Sequence, residues 1–94
     1  MSDDTTPQAA PRHPDTTLHL LGATIRHYRR YRGLTQRALA ERTGLNVTYV
    51  GEVERGVRNL SVLTLLRIAD ALQLRPSRLL RPFDTPQGQT DVCL

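Results

Sequence analysis

Apolar side chains recur at helical spacing through the middle of the chain and nowhere alternate as they would along a strand. Leu18, Leu21, Ile25 and Tyr28 fall at i, i+3, i+7 and i+10, which places them on one face of a helix. Thr17 is its expected N-cap, and Gly33 ends it. Thr35 caps a second helix over 36–42, with Leu39 and Ala40 facing inward. Just beyond Gly44, Asn46 caps a third helix that turns Val50 and Val53 inward and stops at Gly56. Ser61 caps a fourth, in which Val62, Leu65, Ile68, Ala69 and Leu72 share a face. Pro76 suits the first turn of a short fifth helix bearing Leu79 and Leu80, and Pro82 ends it. The pattern predicts an all-α domain of five helices, with no strand and no internal repeat.

The flanks read differently. Residues 1–17, MSDDTTPQAAPRHPDTT, mix Pro, Thr and Asp with almost no large apolar side chain, and residues 84–94 share that character. Neither stretch can offset the entropy of becoming ordered. The domain is therefore expected over 18–83, between a flexible N-terminal arm (1–17) and a flexible C-terminal tail (84–94). A chain of 94 residues buries only about 60% of its unfolded surface, so a partner subunit would add needed stability. No apolar run approaches the roughly 20 residues that cross a bilayer, and the start lacks the basic-then-apolar order of a secretory signal. A cytoplasmic protein is expected, with no membrane partner. Cys93, the single cysteine, has no disulfide partner and no companion metal ligands, and is assigned no role.

Charge sharpens the picture. From Leu18 to Phe83 twelve arginines face only Glu41, Glu52, Glu54 and Asp70, twelve minus four giving +8. Each flank contributes −2, which brings the whole chain to +4. So basic a core points to a polyanionic partner. Every basic residue is Arg and none is Lys, which suits bidentate contacts with phosphate and guanine, although a coding bias of the host would produce the same absence. Enzymatic chemistry is not expected. His13 and His19 lie in or beside the arm, His27 sits among arginines, and no carboxylate pair or nucleophile with a base is spaced for catalysis. No metal and no cofactor is called for.

The second and third helices, joined by a short turn containing Gly44, form a helix-turn-helix pattern. Gly44 supplies a positive φ that a Cβ would disfavour, and small Ala40 lets the two helices cross closely. Half the acids of the basic core lie on the third helix, in TGLNVTYVGEVERG. Successive side chains rotate by about 100°, so Glu54 lies about 40° from inward-facing Val50, while Glu52 lies about 200° away and faces out. The two glutamates cannot share a partner.

The stretch LTQRALAERTGLNVTYVGEVERGVRNLSVLTLLRIADALQL strongly resembles the XRE-type family of phage repressor and Cro helix-turn-helix regulators. The likeness is carried by Thr35-Gln36, Leu39-Ala40, Gly44-Leu45, Tyr49-Val50, Val53-Glu54-Arg55-Gly56, Ser61 and the run from Ile68 to Leu72, and it spans about residues 19 to 80. It implies a five-helix lambda-repressor-like DNA-binding domain and double-stranded DNA as partner. For Glu54 it implies an ion pair with Arg29, either desolvated or held at the surface. It places Val47, Thr48, Gly51 and Glu52 on the base-reading face. There a carboxylate accepts from cytosine N4 and an apolar group touches the thymine methyl, or Glu52 is simply a solvated glutamate. Backbone phosphates fall to Gln36 at a helix N-terminus and to Arg37, Asn46, Tyr49, Arg55, Arg58 and Asn59, with a solvated loop arginine as the alternative for Arg58.

Leu63 and Leu66, off the core stripe, join Leu79, Leu80 and Phe83 in an apolar strip that suits a homodimer on a palindromic operator, although local packing alone accounts for Leu79. The polar tail is too short for an effector domain, so regulation by dimer concentration is expected. Stand-alone regulators of this kind, with ERGVRNLS after the third helix, resemble the controller proteins of restriction-modification systems. For such a regulator RNA polymerase is a further implied partner. The second reading is an antitoxin-like protein that binds a partner protein and represses its own promoter.

Overall fold

In a computed structural model, which describes residues 13–84, five α-helices follow one another: α1 (Pro14–Tyr31), α2 (Gln36–Thr43), α3 (Val47–Arg55), α4 (Val62–Ala71) and α5 (Pro76–Leu80). A 3-10 turn, Arg81–Phe83, follows α5. No strand occurs among the described residues. The expectations for 1–12 and for 85–94, Cys93 included, lie outside them.

Three predicted caps form. Thr35, Asn46 and Ser61 each accept a hydrogen bond from the backbone of the helix they open, from Ala38 N at 3.0 Å, Thr48 N at 2.7 Å and Thr64 N at 3.0 Å. The first helix departs from expectation. It begins at Pro14, and His13, not Thr17, is its cap, the ring Nδ1 accepting weakly from Asp15 N at 3.3 Å. Pro14 brings the φ of a first helical turn and has no N–H to leave unsatisfied, and Asp15 complements the helix dipole there. Residues 14–17, assigned to the arm, are therefore helical. At the other end of the domain, Pro82 ends α5 but the chain goes on into the 3-10 turn that contains it.

Gly44 adopts φ 76°, and Leu45 N donates to Ala40 O at 3.0 Å, closing α2. Buried Thr43 braces the same turn: its hydroxyl donates to Leu39 O at 2.8 Å and accepts from Leu45 N at 3.3 Å. The turn brings α3 directly across α2. Its other side packs on α1, while α5 bridges α4 and α1. Ile25, Leu39, Val50, Val53, Ile68, Ala69 and Leu72 fill the space between, each large aliphatic contributing on the order of 1.5–3 kcal/mol. Two assignments change here. Val62 is exposed rather than part of the core stripe, because α4 opens one turn before the core begins. Leu79 is 0% exposed and belongs to the core, so it cannot meet a second subunit.

Two features had no place in the sequence expectation. Gly22 is buried in α1 where a Cβ would collide with Val53 O and lie 2.6 Å from Glu54 O, so α1 and α3 touch backbone to backbone. Arg32, just past α1, reaches across to the end of α4, donating from Nε to Leu72 O at 2.8 Å and from Nη2 to Gln73 O at 3.2 Å. It thereby satisfies carbonyls that a helix end leaves without partners.

Candidate nucleic-acid interface

The third helix is held from behind by its own apolar and acidic residues. Val50 and Val53 are buried, and Glu54 beside them meets Arg29 of α1 through two hydrogen bonds, Nε to Oε2 at 2.6 Å and Nη2 to Oε1 at 3.0 Å. The implied pair forms, in its desolvated version. Arg29 Nη1 also donates to Leu34 O at 2.7 Å, and Gln36 Nε2 donates to Glu54 Oε1 at 3.0 Å. One carboxylate thus sets α1, α2 and α3 against one another. The Gln36 side chain, expected on a phosphate, is anchored through its nitrogen to Glu54, which leaves its carbonyl oxygen and the α2 N-terminus for other contacts.

The outward edge of α3 carries Thr48, exposed, and Glu52, half-buried. Gly51, expected among the base readers, is instead buried beneath the Gln36 amide and the Arg55 guanidinium, each 3.5 Å from where its Cβ would stand, and presents no free surface to a base. Its rotation around α3 puts it over the α2 N-terminus instead. Val47 is half-buried against the core, which limits it to an apolar rim. Asn46 stands at the entrance of the helix with Oδ1 engaged as the cap. Arg37, Arg55, Arg58 and Asn59 are exposed around the helix and its exit, and half-buried Tyr49 approaches Asn59 O at 3.4 Å.

Glu52 does not stand free. Arg58 donates to its Oε1 from Nε at 3.1 Å and from Nη2 at 2.8 Å. The same guanidinium lies 5.7 Å from the Tyr49 ring centroid, within cation–π range. Arg58 is therefore an exposed loop arginine that has partners within the protein, a carboxylate and an aromatic ring. Next to this edge, Arg26 and Arg30 of α1 join Arg55 around an open cleft of about 590 Å³, extending the basic surface from the helix-turn-helix onto α1. Both arginines were visible on the first helix, but its face toward α3 was not. Among the described residues no helix is long and apolar enough to cross a membrane.

This arrangement, a braced helix with a polar edge flanked by arginines, meets its match in the helix-turn-helix family HTH_3, whose model covers residues 25–79. The chain belongs to this XRE-type helix-turn-helix family. Its relatives include transcriptional regulators and controllers of restriction-modification systems. The control protein C.SmaI of Serratia marcescens is 43% identical over 61 residues, 65% of this chain and 73% of that protein. The crystal structure of the restriction-modification controller C.AhdI from Aeromonas hydrophila superimposes with a TM-score of 0.67 at 42% identity, covering 68% of this chain and 97% of the other. The controller C.Esp1396I, determined as a tetramer in complex with its natural 35-base-pair operator, aligns with a TM-score of 0.64 at 29% identity, covering 69% and 86%. C.AhdI is matched along nearly its whole length.

Proposed function

We propose that this member of the family is a sequence-specific DNA-binding regulator that acts in the cytoplasm as a homodimer on a palindromic operator, in the manner of a restriction-modification controller. One observation carries the reading: α3 is locked to the body by Glu54, Val50 and Val53 while its polar edge and the arginines around it face outward. Thr48 and the Glu52 edge lie toward the bases, with Val47 at the rim. Arg37, Asn46, Tyr49, Arg55 and Asn59, with the α2 N-terminus at Gln36, take the backbone. Exposed Leu63 and Leu66 on α4 and Leu80 on α5 offer the apolar surface for a second copy, with half-buried Phe83, packed against the core, in the turn after α5. Transcription then responds to where the dimer sits relative to RNA polymerase on the promoter.

Sequencing DNA retained by the purified protein from a random pool tests this. A two-fold symmetric motif is expected, with half-sites about 34 Å apart. Affinity for it should fall with salt at a log–log slope of about −0.9 per neutralised phosphate, and Arg37→Ala should reduce that slope by about one contact. Retention without any enriched motif would overturn the proposal.

A further inference from the structure

Glu52 is an awkward residue for a DNA-facing surface, because a lone carboxylate there repels every nearby phosphate. Its ion pair with Arg58 contributes little to folding, since the two side chains are 54% (Arg58) and 25% (Glu52) exposed and screened by solvent. The buried pair behind the helix already fixes α3. The contact on the exposed edge therefore calls for a different role.

Its geometry supplies one. Arg58 is bound on one side only: Nε and Nη2 both donate to the single oxygen Oε1. A guanidinium carries five N–H donors, so three remain, on Nη1 and Nη2, at the free end of the fork. The Tyr49 ring lies against the same group, and no other protein acceptor binds it among the described residues. An unrestrained loop arginine would lose rotamer freedom on binding and settle on whichever phosphate it reached. Paired with a carboxylate and 5.7 Å from an aromatic ring centroid, this one has a preferred placement before DNA arrives. Its unused end has the parallel donors that match guanine O6 and N7. The same pairing cancels the charge of Glu52 beside the phosphates.

We infer that Arg58 reads a guanine and that Glu52 is its positioning residue, acting on DNA through the arginine rather than on a base of its own. The inference rests on the reading of the chain as an operator-binding regulator, and it converts Arg58 from a backbone contact into a specificity determinant. Glu52→Ala leaves the arginine in place but lets it wander. Guanine preference at one position in each half-site should then drop by about ten-fold, the scale of a well-made bidentate contact. Affinity for unrelated DNA should rise as the freed charge finds phosphates, and the salt slope should steepen by about one contact. Glu52→Gln, which keeps an acceptor oxygen, should retain part of the preference.

The experiment is selection from random DNA with the full-length protein and with Glu52→Ala, Glu52→Gln, Arg58→Ala and the double variant, each first checked for unchanged melting. Expected is loss of the same guanine in Glu52→Ala and Arg58→Ala, with the double variant no worse than Arg58→Ala alone. If Glu52→Ala still changes a base preference in the Arg58→Ala background, Glu52 reads directly and the inference fails. It fails equally if Arg58→Ala weakens all sequences alike, leaves the motif intact and lowers the salt slope by about one, as a phosphate contact would. These outcomes leave the regulator reading standing. Absence of any motif for the unaltered protein overturns that reading and this inference together.

Discussion

The Glu54 carboxylate, its side chain 2% exposed, closes on the Arg29 guanidinium from the far side of a helix crossing, and it shares one of its oxygens with Gln36. Arg29 in turn holds Leu34 O, at the turn that leads into α2. Removing the carboxylate leaves a buried cation with a single neutral acceptor and strips Gln36 of its partner. Glu54→Ala should therefore lose on the order of 3–5 kcal/mol in denaturant unfolding. Replacing both members with apolar residues of similar volume should recover most of that loss, because no unpaired charge then remains. A loss below about 1 kcal/mol for Glu54→Ala would mean that the pair is solvated in solution.

Gly22 makes the second connection between α1 and α3. A methyl group there meets main-chain atoms of Val53 and Glu54, which cannot swing aside as a flexible side chain would. Gly22→Ala should displace α3 and destabilise the domain by about 1–3 kcal/mol. Because α3 also bears the outward polar edge, operator affinity should fall even at temperatures where the variant is fully folded. Unaltered melting and affinity would show that the crossing has more room than the backbone contact indicates.

The apolar surface of α4 sets the third expectation. Leu63 is 63% exposed and Leu66 lies one turn further on, outside the core stripe. In sedimentation at micromolar concentration the protein should have the mass of two chains, and Leu63→Glu should return it to one. The monomeric variant should bind a half-site as the unaltered protein does but lose the gain from a paired site. A mass of one chain at every concentration of the unaltered protein would exclude this interface.

Much of the molecule was set by the order of residues alone. The oxygens of Thr35, Asn46 and Ser61, the Gly44 turn and the 3.6-residue recurrence of valine and leucine act within a few positions of themselves, so they specify helices wherever the chain later places them. The opposite directions of Glu52 and Glu54 follow from the same rotation per residue. Periodicity names a face but not what lies against it, and there the folded chain decided. Leu79 and Leu80 are adjacent and equally apolar, yet packing buries the first and exposes the second. Gly51 sits near the reading edge in sequence and beneath Gln36 and Arg55 in space. The pairing of Glu52 with Arg58 spans a loop whose path depends on how α4 docks, and Arg32 meets a helix end forty residues away. Contacts of that kind arise only when separate elements converge, because a charge or a Cβ acquires its partner from the assembled surface rather than from its neighbours along the chain.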